Sequence, residues 1–222
     1  MAARSLGLYD TAIGKKAVMA LSGVILLGFV FTHMAGNLLI FKGEQAMNDY
    51  ALGLRELLGG AGIWIARVVL LGAIGAHIWS AMALNKQNRN ARPVPYKRTV
   101  SKTSSAASKT MMFGGITLLL YIGYHIAHLT FGVTTPNYNE TNVYANVVSS
   151  FKVWWIVAIY LVAQVSLAFH LYHGAWSFMQ SMGLSHPRYN DMRKRFAGGF
   201  AFITAVGFAI VPLAIITGQI GS

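Results

Sequence analysis

The sequence has no cysteine and only six carboxylate side chains among its 222 residues. Without thiols the chain cannot form a disulfide, ligate an iron–sulfur cluster through cysteine or attach a c-type haem covalently. Charge of either sign is scarce: Asp, Glu, Lys and Arg make up 11% of the residues against 55% hydrophobic ones, and the mean hydropathy is +0.51. A soluble domain carries about twice that share of charge, so the composition is that of a membrane protein. A glycine-rich dinucleotide loop is also missing, so the sequence offers no nucleotide site.

What is present is apolar length. Five runs, residues 17–41, 62–84, 111–133, 153–180 and 196–220, are each long enough for a hydrocarbon core that takes roughly 20 helical residues to cross. Four of the five hold no Lys, Arg, Asp or Glu; the second has Arg67 near its start, where a long side chain can reach the interface. The first run is longer than the core of a signal peptide and is read as a retained helix. The expected fold class is an all-α membrane protein, a single five-helix bundle over 1–222 with no internal repeat.

The basic residues separate by loop. Arg4, Lys15, Lys16, Lys86, Arg89, Arg92, Lys97, Arg98, Lys102, Lys109, Arg188, Arg193, Lys194 and Arg195 fall on one side of the spans, and Lys42, Arg55, Arg67 and Lys152 on the other. By the positive-inside rule the amino terminus is expected in the cytoplasm and the carboxyl terminus outside. The net charge of +12 is then a topology signal, with docking of a cytoplasmic partner or anionic lipid as its second use, and not a nucleic-acid footprint. The connection 85–110, with Pro93 and Pro95, reads as a solvated cytoplasmic loop, and 134–150 as a polar outer loop. Residues 44–58 read as an amphipathic helix along the outer interface.

Ionisable residues inside spans are rare and point to function. Six of the seven histidines lie there: His33 in the first span, His77 in the second, His125 and His128 in the third, His170 and His173 in the fourth. Counting at about 1.5 Å per residue from the cytoplasmic end puts His33, His125 and His128 near 25 Å, and His77, His170 and His173 near 12 Å. Each layer thus draws on two helices. A flat macrocycle whose iron takes one neutral imidazole from each side needs that arrangement, so two layers suggest two b-type haems about 12 Å apart in depth. Two other readings stay open: hydrogen bonding between helices, and zinc, which favours a compact cluster and often a carboxylate. Gly36, Gly72, Gly75, Gly123 and Gly174, close in sequence to these histidines, would leave backbone bare for a macrocycle or for helix packing.

At these residues the chain resembles a known family, the single-chain, five-helix, dihaem cytochrome b anchor of bacterial succinate dehydrogenases and fumarate reductases (complex II). The likeness runs over nearly the whole chain and is most specific in "FTHMAGN" around His33 and "FHLYHGAWSFMQSMG" around His170. It implies His33 with His125 as axial ligands of an outer haem, and His77 with His170 as those of an inner one. His128 and His173, each one turn from a matched ligand, depart from the family's pattern. They are left as alternative ligands or as hydrogen-bond donors to a haem propionate or quinone carbonyl.

The resemblance implies a multi-pass subunit of a bacterial cytoplasmic membrane, in a complex whose flavoprotein oxidises succinate and whose iron–sulfur protein relays electrons. This chain would exchange those electrons with a quinone, menaquinone in members of this type. Candidates to meet the quinone or the propionates are Ser22, Lys15, Lys16 and Arg98 by the inner layer, and Arg55, Glu56, Arg67 and Lys152 by the outer one. Trp154, Trp155 and Trp176 are expected as interfacial anchors or haem packing. A cytochrome b subunit of a hydrogenase or formate dehydrogenase is the alternative. A haem-free proton-relay transporter would be expected to carry a carboxylate within the spans.

Overall fold

A computed structural model describes residues 7–91 and 106–221. Arg4, Arg92, Pro93, Pro95, Lys97, Arg98 and Lys102 lie outside the described residues, and with them the middle of the expected 85–110 loop and Arg98 at a quinone or propionate; the ends of that loop are helical, residues 85–90 continuing one long helix and 106–110 beginning the next. The described chain is all-helical: α1 Ala12–Asn37, α2 Glu44–Glu56, α3 Ala61–Asn90, α4 Ala106–His125, α5 Val143–Phe151, α6 Trp154–Ser181 and α7 Asn190–Ile216. Five segments, carrying α1, α3, α4, α6 and α7, are long and apolar enough to cross a membrane.

Local chemistry starts these helices in recognisable ways. Thr11 Oγ1 accepts the Gly14 N–H at 2.9 Å at the head of α1, and Asn142 Oδ1 accepts the Ala145 N–H at 2.9 Å at the head of α5. Between α2 and α3 the chain reverses through Leu58, Gly59 and Gly60, whose φ angles are +54°, +63° and +90°. The two glycines take that left-handed turn without strain, whereas Leu58 pays for it. Pro212 sits inside α7 and removes one backbone hydrogen bond, which a membrane helix tolerates when neighbouring helices pack around it.

In the bundle α1 packs along α3, α4 along α6, and α6 along α7, with α1 also touching α6 and α7. The start of α1 lies beside the end of α3, where Lys15 Nζ donates to Gln87 Oε1 at 3.3 Å. At the opposite end, Ile40, Met47, Val147, Phe151, Ile156 and Val211 form a buried apolar core that fastens α2 and α5 to the long helices.

That core corrects one expectation. Residues 134–150 are not simply a polar loop, because their second half is α5. Val147, Val148 and Phe151 are buried on it, at the spacing of one helical face. Asn142 ties it to α2, accepting from Asn48 Nδ2 at 3.1 Å and donating to Glu44 Oε1 at 2.6 Å.

A close contact joins α7 to α1. A Cβ on Gly207 would overlap Met34, with Met34 Cγ 2.9 Å away. Gly207→Ala is therefore expected to cost about 1–3 kcal/mol, the range for overpacking. A thermal melt of the purified protein in detergent checks this; an unchanged midpoint would mean that the flexible Met34 moves aside without loss.

Candidate functional site

The bundle brings the histidines together in twos. The rings of His33 on α1 and His125 on α4 meet edge-on, with centroids 5.9 Å apart and planes at 80°, and those of His77 on α3 and His170 on α6 have centroids 6.1 Å apart and planes at 58°. Neither α1 with α4 nor α3 with α6 packs along its length. The paired rings therefore meet across the seam between the α1/α3 and α4/α6 helix pairs.

The separation of the two levels can be read along single helices. His125 is level with Tyr160 of α6, whose hydroxyl is 3.1 Å from His125 Nδ1, and His170 lies ten residues further along the same helix. At the rise of an α-helix that is about 15 Å. Gly115 of α4, beside His170, is likewise ten residues from His125.

Each ring is held. Phe29 stacks on His33 with centroids 5.3 Å apart and an interplanar angle of 8°, and the Phe208 ring packs against it at 5.8 Å, tilted by 52°. His77 Nδ1 is 3.1 Å from the Met19 carbonyl, an acceptor, so this nitrogen carries the proton and Nε2 keeps its lone pair. Ser22 Oγ approaches His77 Nδ1 at 3.5 Å but spends its own proton on the Val18 carbonyl at 2.7 Å. A Cβ on Gly23 would touch the same ring at 3.4 Å, so the glycine lets His77 come close to α1.

The two extra histidines behave differently. His128 is fully buried, at 0% exposure, with Nδ1 2.8 Å from the Tyr160 hydroxyl and Nε2 3.0 Å from Ser150 Oγ. Both of its nitrogens are engaged by protein, which leaves none for a metal. It stands in a π-helical turn, Ile126–Thr130, that continues α4, a feature that recurs at functional sites. His173 instead has a buried Nδ1 with no protein partner, as do His170 Nδ1 and the Trp176 indole nitrogen. These three residues follow at three-residue steps on one face of α6.

Three observations test whether the pairs suit a haem iron. First, imidazole nitrogens on opposite sides of one first-row metal, each at about 2 Å, put the ring centroids roughly 6 Å apart, as in both pairs. Second, His77 presents an unprotonated Nε2, and His125 spends Nδ1 on Tyr160. His33 Nε2 has only a 3.4 Å contact to Asn37 Nδ2, which keeps a 2.8 Å bond to the His33 carbonyl without it. Third, a cleft lined by Thr117, Ser166 and Phe169 opens beside His170 of the inner pair. Added Cβ atoms on Gly72, Gly75, Gly123 and Gly174 would meet nothing within 4 Å, the first three because those glycines are exposed on the outside of the bundle. Gly36 is the exception, because the Tyr50 ring occupies its space, 2.7 Å from where a Cβ would stand. The residues fit bis-imidazole haem. Among the described residues no group of three or more His, Cys, Asp or Glu is arranged for a metal.

The charged candidates are dispersed. Lys15 bonds Gln87, Lys16 and Glu56 are exposed, and the exposed Arg67 lays its guanidinium 4.7 Å from the centre of the Trp64 ring. Among the described residues none of these four is hydrogen bonded to a histidine. Tyr160 was missed in the sequence, although a tyrosine in the middle of an apolar span needs a partner for its hydroxyl and is a readable signal.

Compared with protein-family models, with characterised proteins and with solved structures, the chain finds no match in any of the three.

Proposed function

We propose that this chain is the membrane-anchor cytochrome b of a bacterial succinate:quinone oxidoreductase, holding one b-type haem between each pair of facing histidines. The observation that carries the reading is the two pairs themselves, four helices contributing one ring each at 5.9 and 6.1 Å. When bound, a haem at each level supplies one-electron transfer, so that together they can pass electrons between an iron–sulfur partner and menaquinone.

The chain's own residues do the holding. His77 is fixed by the Met19 carbonyl and His33 by Phe29 and Phe208. His173 Nδ1 and the Trp176 indole N–H have no protein partner and are the groups that would meet a propionate or a quinone carbonyl. The basic residues of the end that carries the amino terminus face the cytoplasm, where they meet the flavoprotein and iron–sulfur subunits. The helices lie in the cytoplasmic membrane, and the succinate chemistry belongs to the partner subunits.

The test is a pyridine-haemochrome assay with protein quantitation on the purified complex, joined to reduction of membranes by different donors. Two b haems per chain, reduced by succinate, are expected. One haem or none would sink the two-level reading. Two haems reduced by formate or hydrogen but not by succinate would move the chain to another membrane oxidoreductase.

A further inference from the structure

We propose that Ser150, His128 and Tyr160 form a directional hydrogen-bond chain that sets the tautomer of His125 and tunes the potential of the outer haem. The inference rests on the haem reading above, but the chain's direction follows from the protein alone.

The direction is fixed at its far end. Ser150 Oγ lies 2.6 Å from the Asn146 carbonyl, which can only accept, so the single serine proton goes there. Toward His128 the serine oxygen must then accept, which places the proton of neutral His128 on Nε2, 3.0 Å away. His128 Nδ1 is left as an acceptor and takes the Tyr160 proton at 2.8 Å. Tyr160, its proton spent, can only accept from His125 Nδ1 at 3.1 Å. His125 therefore carries its proton on Nδ1 and turns the Nε2 lone pair outward, the form that binds a metal.

The chain is built to hold that sense. Ser150 and His128 are at 0% exposure and Tyr160 at 5%, so no water competes for the bonds. Asn146 is itself clamped, accepting the Asn139 N–H at 2.9 Å and donating to the Asn139 carbonyl at 2.7 Å. Thr135 Oγ1 donates to the His128 carbonyl at 2.7 Å and pins the π-helical turn. A fully satisfied buried network of this kind specifies one arrangement. A ligating imidazole whose second nitrogen donates to a fixed acceptor is the more basic ligand, which favours oxidised iron and lowers the potential. The inner pair has a single carbonyl, that of Met19, in the corresponding place.

The tests use the full chain in its complex. Tyr160→Phe is expected to keep two haems per chain while the outer haem's midpoint potential rises and its low-temperature electron paramagnetic resonance signal shifts, the inner haem staying as in the wild type. Ser150→Ala, two hydrogen bonds from the ligand, should move the outer haem in the same direction by less. Unchanged outer-haem potential and spectrum in both variants, or equal shifts in both haems, would overturn the proposal. Nitrogen-15 spectra of histidine-labelled protein in bilayers read the tautomers whether or not haem is bound: His128 protonated on Nε2 is expected, and His128 protonated on Nδ1 overturns it. A wild type without two haems would instead remove the reading beneath it.

Discussion

Alanine at His33 or at His125 is expected to remove one haem of two, and alanine at His77 or at His170 to remove the other. The reason lies in the pairing. Each pair takes its rings from helices that do not pack along one another, His33 with His125 at 5.9 Å and His77 with His170 at 6.1 Å, so losing one ring leaves its partner facing no imidazole across the seam. At the inner level His173, whose Nδ1 has no protein partner, lies one turn from His170 on the same helix. His128 is the only near substitute for His125, and both its nitrogens are taken by Tyr160 and Ser150. Double replacement within a pair should therefore lose no more haem than a single one, whereas His33→Ala with His77→Ala should lose both. His128→Ala and His173→Ala should retain both haems. Haem per chain and the optical spectrum of the remaining haem measure this. Two haems surviving His125→Ala while His128→Ala loses one would transfer the ligand to His128.

Arg193→Ala is expected to destabilise the bundle by roughly 2–4 kcal/mol, on the scale of losing hydrogen bonds from a charged group together with buried packing. Arg193 is 5% exposed, and its guanidinium donates to the Leu184 carbonyl and to Asn190 Oδ1. It thereby fastens the connection between α6 and α7 to the first turn of α7. For a chain of this length that loss is about 5–15 °C in thermal midpoint. Lysine should rescue only part of it, since its ammonium cannot reproduce a planar fork aimed at two acceptors. A melt of the purified protein in detergent decides the matter; a midpoint within about 1 °C of wild type would show that the connection needs no such clasp.

Arg193 also marks a limit of reading charge by loop. In the sequence it is one of the basic residues that set topology, and nothing in "NDMRKRF" distinguishes it from Lys194 or Arg195. In the structure it alone of the three is buried. Its neighbour Lys194 places Nζ 5.4 Å from the centre of the Trp176 ring. A helix start turns successive residues by about 100°, so which one faces inward depends on how α7 is rotated against α6.

Tyr160 and α5 show two different kinds of difficulty. For α5 the signal was present: Asn142 as a cap and apolar residues at helical spacing, but the surrounding polar residues and Pro136 drew the whole of 134–150 into a loop. Tyr160 could be suspected as a hydroxyl deep in an apolar run. Its partners, His125 and His128 on another helix, are 35 and 32 residues away in sequence and could not be named. Gly36 is the converse case, since an empty position in the sequence became the seat of Tyr50.

The sequence by itself determined the five apolar helices and the two depths at which histidines occur. Hydrocarbon thickness sets helix length, and a constant rise per residue turns residue number into depth. Tertiary structure decided which histidine of each neighbouring couple faces a partner, and which hydroxyls and carbonyls meet its second nitrogen. Those outcomes depend on the rotation of each helix about its axis and on the π-helical turn after His125. Both are settled by packing between helices distant in sequence, where a hydrogen bond is made or lost over less than 1 Å.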